Sequence, residues 1–90
     1  MFYVYILYSK TIDKFYVGST SNLNNRIFRH NEGKSLYTRS GRPWELIFSF
    51  ACNTRSEARS IENHIKRMKS RTYIQNIVSQ KIDLNLILKR

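Results

Sequence analysis

Ninety residues make one small domain, with room for a single core and no second domain. Sixteen Lys and Arg against six Asp and Glu leave a formal net charge of +10, which points to a polyanionic partner, nucleic acid first. Hydrophobic residues at 41% exclude a disordered chain, and a lone cysteine, Cys52, excludes an internal disulfide.

The remaining class-level expectations follow from the same numbers. No apolar run is long enough for a bilayer span or a signal-peptide core, and a single thiol fits a reducing compartment, so the expectation is a soluble cytoplasmic protein. An anionic membrane surface would attract the charge, but no basic segment carries the large aromatic-and-leucine face that lies on lipid. The charge is uneven: residues 54–90 hold nine Lys or Arg and three acids. Nothing in the pattern sets an oligomeric state.

Phe2 to Tyr8 is β-branched and aromatic and apolar on both faces, as a covered, central strand would be. Ser9 to Lys14 supplies turn residues, and Phe15 to Thr20 returns as the second arm of a hairpin. Gly18 near its end marks a bulge or a close backbone approach. Ser21 or Asn22 can cap a helix whose buried stripe is Leu23 and Ile27, and Gly33 is a natural stop. Gly33 to Pro43 lacks periodicity and carries Lys34, Arg39 and Arg42, so it reads as a basic loop.

Trp44, Leu46, Phe48 and Phe50 alternate, which predicts a third strand with those four on one face. Thr54-Arg55-Ser56-Glu57 has the form of a capping box, and Ala58, Ile61, Ile65 and Met68 form the stripe of the helix it opens. That helix should end near Ser70. A further helical piece runs from Tyr73 to Val78, and Ile82 to Leu88 is taken as a short C-terminal helix although it also alternates like a strand. The expected fold class is α+β, a small three-stranded antiparallel sheet flanked by helices in the order β-β-α-β-α-α, over one domain spanning residues 1–90.

Five side chains could carry chemistry. Tyr5 and Tyr16 can project near each other across the hairpin. A phenol is a poor base at neutral pH, with a reference value of about 10, unless a cation favours the phenolate. Packing is the ordinary role of a strand tyrosine, and this chain has six tyrosines. Arg26 and His30 are one turn apart on one face, at the rim of the core beside the hairpin. There Arg could grip a phosphate and His relay a proton, or both could be a solvated basic edge. Glu62 sits roughly 70° from the centre of its helix stripe. It could be one ligand of a divalent ion or the partner of Lys66 in a surface pair, and geometry does not choose. His64 falls elsewhere on the wheel, and Cys52 packs as a small apolar residue.

These residues together resemble the GIY-YIG nuclease family. Val4-Tyr5-Ile6 stands at its first triplet and Tyr16-Val17-Gly18 at its second, with Arg26 and His30 at the expected distance beyond. Thr38-Arg39-Ser40-Gly41-Arg42-Pro43-Trp44 looks like the Thr-Arg-x-x-Arg-Pro-Trp signature of the small standalone bacterial branch. Glu57-Ala58 followed by Glu62 looks like the metal-binding helix. The resemblance covers about residues 1 to 78, and five ordered features make it specific where one triplet would not. Val4 departs from the first glycine, and Ser19 stands where repair-type relatives carry lysine, which is the homing-endonuclease-like pattern.

The resemblance implies a metal-dependent endonuclease acting on nucleic acid, DNA ahead of RNA. Tyr5 or Tyr16 would activate water, Arg26 would neutralise the scissile phosphate, and His30 would assist the active tyrosine. Glu62 would hold one Mg²⁺ or Mn²⁺. Asn76 matches, at looser spacing, a family asparagine downstream of the glutamate. The basic residues Arg39, Arg42, Arg55, Arg59, Lys66 and Lys69 would track phosphates. The alternative is a catalytically weak nucleic-acid-binding module using the same surface, and a third reading is a small RNA- or ribosome-associated basic protein.

Overall fold

The structure is a computed structural model that describes residues 1–88. Strand β1 (Phe2–Ser9) pairs antiparallel with β2 (Lys14–Thr20) on one side and β3 (Trp44–Cys52) on the other, giving the order β2-β1-β3. Val4, Tyr5, Ile6 and Leu7 are all fully buried, as the two-faced apolar run of β1 requires of a central strand. Helix α1 (Leu23–Asn31) lies on one face of the sheet. Helices α2 (Arg55–Met68), α3 (Arg71–Val78) and α4 (Asn85–Leu88) contribute to the core on the other. The architecture is α+β.

The two faces are chemically distinct. Val4, Ile6, Val17 and Cys52 pack with Ala58, Ile61 and Ile65 of α2, Ile77 of α3 and Leu84 in the main core. Tyr5, Leu7 and Trp44 form a smaller core with Tyr16, Leu23 and Ile27 under α1. Cross-strand partners share a face, so Ser19, opposite Val4, points to the α2 side, whereas Gly18, opposite Tyr5, lies on the α1 side.

Strand β3 departs from simple alternation. Ile6 pairs with Phe48 but Leu7 pairs with Leu46, so Ile47 is an extra residue in a bulge. The bulge turns Trp44 and Leu46 to the face of Leu7, while Phe48 and Phe50 stay on the face of Ile6 and Val4. The expectation of all four on one face is therefore corrected. Two further corrections concern helices. Met68 is 46% exposed and leaves the α2 stripe to Ala58, Ile61 and Ile65. The C-terminal helix begins only at Asn85, with Leu84 buried just before it.

The caps are where the residue types put them. Asn22 accepts from the Asn25 N–H at 3.0 Å. Thr54 and Glu57 satisfy each other's backbone donors in a complete capping box, and Ser70 caps α3. Gly33 follows the end of α1 with φ +79°, where a side chain would be strained.

Candidate active site

Residue Tyr5 is central. The register sets it opposite Gly18, with Tyr16 opposite Leu7, so the two tyrosines are diagonal neighbours rather than a direct pair; their ring centroids lie 6.3 Å apart. Gly18 makes room for Tyr5: a Cβ there would lie 2.5 Å from the phenol oxygen and 2.7 Å from Cζ. The phenol oxygen is 3.0 Å from His30 Nε2, and His30 Nδ1 is 2.8 Å from Thr38 Oγ1. Tyr5, His30 and Thr38 are all buried, so a chain of direct side-chain hydrogen bonds runs through the α1 face.

Burial, with the adjacent Tyr16 phenol second, pushes Tyr5 up from 10 to about 12. The Arg26 guanidinium pulls the other way by charge and hydrogen bonding, and does not win. Burial, followed by the charge of Arg26, holds His30 below its ordinary value. Burial thus disfavours the imidazolium of His30, which lies inside the core, not at its rim as its place on the helix suggested. Its ring meets Tyr16 edge-on at 4.8 Å.

The loop after α1 is built around this chain. Trp44 Nε1 donates to the Thr38 carbonyl at 2.6 Å, and Ser9 Oγ donates to the Gly41 carbonyl at 2.6 Å. Asn31 clamps the backbone of Trp44, accepting from its N–H at 2.6 Å and donating to its carbonyl at 3.1 Å. Arg39 Nε donates to the Gly33 carbonyl and Arg42 Nε to the Arg39 carbonyl, so both brace the loop they sit on. The Thr-Arg-x-x-Arg-Pro-Trp stretch is a folded buttress for His30 through Thr38, with Arg39 and Arg42 exposed on its surface. Neither arginine lines the clefts described next.

A cleft of about 410 Å³ opens along the outer edge of β2. It is lined by Tyr16, Gly18, Ser19, Arg26, Arg55, Arg59, Glu62 and Asn63. A second cleft of about 210 Å³ adjoins it, lined by Tyr16, Arg26, Arg29, His30, Lys34 and Ser35. Because β2 is an edge strand with a glycine at its site-facing position, α1 and α2 reach the same opening from opposite sheet faces. Glu62 is the one carboxylate lining the cleft. Its Oε1 accepts from Ser19 Oγ at 2.5 Å and its Oε2 lies 2.5 Å from Lys66 Nζ.

Of the residues singled out from the sequence, Tyr16, Arg26, Arg55, Arg59 and Glu62 share this cleft, His30 reaches the adjoining one, and Tyr5 packs beside Tyr16 and His30. Lys66 and Lys69 line a neighbouring groove. Asn76 does not join them: it lies on α3, where its carbonyl accepts from the Lys81 N–H at 2.8 Å. Ser19, Thr38 and Asn31 went unnoticed as supports. For Ser19 a signal existed, since strand alternation places it on the face opposite Tyr16 and hence toward α2. Thr38 and Asn31 act across distances that no local pattern encodes.

An α+β fold with two neighbouring phenols, one buried and one at the edge strand, beside an arginine and a carboxylate defines a class that similarity to known proteins then specifies. The model of the GIY-YIG catalytic domain matches residues 1–75. The UPF0213 protein CPE1444 of Clostridium perfringens is 39% identical over 83 residues, covering 91% of this chain and 88% of its own. The UPF0213 protein YazA of Bacillus subtilis is 37% identical over 67 residues, 70% of this chain and 68% of its own. The solution NMR structure of the UPF0213 protein BH0048 from Bacillus halodurans superposes with a TM-score of 0.58 at 36% identity, covering 90% of this chain and 86% of that one. The chain belongs to the GIY-YIG catalytic domain family, in company with small bacterial UPF0213 proteins. No helix among the described residues is long and apolar enough to cross a membrane.

Proposed function

We propose that this chain is a divalent-metal-dependent endonuclease that hydrolyses phosphodiester bonds in nucleic acid, with DNA ahead of RNA as substrate. The observation that carries the proposal is the shared cleft: Tyr16, Arg26 and Glu62 come from three elements on two sheet faces and line one polar opening. Packing, solvation and surface pairing, taken separately, give these three no reason to meet.

The roles follow from position. Arg26, with Arg55 and Arg59 across the cleft, offers forked donors to phosphate oxygens, and Arg26 is placed to neutralise the charge that builds on the scissile group. Tyr16 lines the cleft, so it is the phenol able to orient the attacking water, and as the phenolate it would take that water's proton. Tyr5 is out of solvent and holds its proton to about pH 12, so it is a positioning residue that aims His30. His30 in turn supports the Tyr16 ring.

Glu62 suits a hydrated Mg²⁺ or Mn²⁺. Such ions are held by one or two carboxylates, with waters and substrate phosphate completing the shell. Among the described residues no group of three or more His, Cys, Asp and Glu could cage an ion, so the donor set fits a hydrated ion better than zinc. When bound, the ion would polarise the phosphodiester and stabilise the leaving oxygen. Ser19 keeps the carboxylate aimed into the cleft.

Cleavage of labelled branched or nicked DNA, with and without Mg²⁺, tests this. Glu62→Gln and Tyr16→Phe should each lower the rate by about 100-fold or more. Tyr5→Phe should cost about tenfold, since it loses only the hydrogen bond that holds His30. Affinity for the same DNA should hold or rise slightly. The Glu62–Lys66 pair also forms on any helix surface without a metal, which favours a binding module as the second reading. Tight binding without metal-dependent cleavage of any DNA or RNA would establish that module instead.

A further inference from the structure

Glu62 already has a cation at its carboxylate. Its Oε2 is in contact with Lys66 Nζ, one turn along α2, while Oε1 is held by Ser19. The carboxylate side chain is 16% exposed and that of Lys66 is 48% exposed, so the ammonium is the more accessible of the two. Lys66 also lines a groove of about 420 Å³ on the outer side of β2, beside Lys14, Lys69 and Arg71. Tyr16 borders both this groove and the cleft of Glu62.

One ammonium on a flexible stem therefore stands between the carboxylate that would take a metal and a groove with an apolar floor of Phe15, Val17, Ile65 and Ile74, rimmed by Lys14 and Lys69 and by Arg71, which is paired with Asp13. An ion taken by Glu62 would repel that ammonium at contact range, and the groove that Lys66 already lines is where a substrate phosphate could receive it. We propose that Lys66 is an exchange residue: it neutralises Glu62 in the metal-free protein and moves to a substrate phosphate in the β2 groove when Glu62 takes a divalent cation. Metal and nucleic acid then bind cooperatively, each strengthening the other by the same factor. The inference rests on Glu62 being the metal carboxylate.

Mn²⁺ binding followed by electron paramagnetic resonance, with protein alone, tests the competition without cleavage. Lys66→Met should tighten Mn²⁺ by about two- to fivefold, the scale of one part-exposed ion pair removed. Lys66→Arg, which keeps the charge, should bind as wild type. Lys69→Met, which removes a nearby charge not paired to Glu62, should change little. Equal binding by wild type and Lys66→Met overturns the exchange while leaving Glu62 as a metal ligand. Equal gains from Lys66→Met and Lys69→Met reduce it to the general field and also overturn it. No binding by any variant, with protein alone or with a non-cleavable duplex added, overturns the exchange together with the metal role of Glu62.

The substrate half is tested in EDTA with a fluorescein-labelled duplex. Glu62→Gln should release Lys66 and steepen the dependence of log affinity on log salt by about one. In the Lys66→Met background the same substitution should leave the slope unchanged. An equal steepening in both backgrounds overturns the proposal, because the gain would then come from deleting an acid and not from Lys66.

Discussion

Tyr5 and Tyr16 are the same residue type on the same sheet face, yet they are set apart by depth. Tyr5 is closed in by Gly18, Tyr16 and His30, and its raised value makes a specific claim about alkaline pH. Its neutral phenol contributes stability that is complete below pH 10 and is lost as pH rises toward about 12. Spectrophotometric titration near 295 nm should show a late-ionising tyrosine that is missing in Tyr5→Phe, and that variant should lose less stability between pH 10 and 12. His30 gives the opposite window. Its lowered value means its contribution is present above pH 6.5 and lost as pH falls below it. Urea unfolding between pH 7 and 5 should show wild type weakening and His30→Gln changing less; equal slopes would remove His30 from the buried chain.

At the scale of elements, the β2 edge decides whether there is a site at all. Gly18 leaves the space that Tyr5 fills, and the strand's outer side carries the cleft that α1 and α2 share. A methyl group at Gly18 would fall inside contact distance of the Tyr5 ring, which is itself held by His30 and cannot swing aside cheaply. Gly18→Ala should therefore destabilise by about 1–3 kcal/mol, as an overpacked site does. Cleavage should fall further than stability, because the displaced ring carries His30 and Tyr16 with it. Chemical denaturation read beside single-turnover rates checks this; an unfolding midpoint equal to wild type would show that the ring has room. The bulge at Ile47 works at the same scale, since it turns Trp44 under α1, where its indole N–H holds the Thr38 carbonyl.

For the whole molecule, net charge sets affinity and its distribution sets register. A charge of +10 on 90 residues predicts binding that weakens steeply with salt. The cleft residues Arg55 and Arg59 should carry more of that slope than Arg39 and Arg42, whose Nε groups brace the loop. Fluorescence anisotropy against salt should show a smaller slope for the Arg55→Ala, Arg59→Ala double variant than for wild type. The Arg39→Ala, Arg42→Ala pair should instead lower thermal stability. The reverse ranking would move the phosphate track onto the loop.

Much of this was legible from local pattern. Apolar runs, turn residues and capping boxes act over a few residues, so β1, β2, α1 and α2 and their caps could be read where they occur. The spacing of Tyr5, Tyr16, Arg26, His30 and Glu62 was equally visible, because a family's ordered residues survive in sequence. Depth was not. Which tyrosine is sealed, that His30 is a core residue, and that Thr38 and Asn31 hold the loop all depend on contacts between distant positions. Alternation also misled at β3, where one bulged residue exchanges the two faces. Glu62 shows the limit most plainly: helix geometry allowed a surface pair or a metal site, and packing of α2 against β2 placed Ser19, Lys66 and the cleft around the same carboxylate, so that both remain available to one side chain.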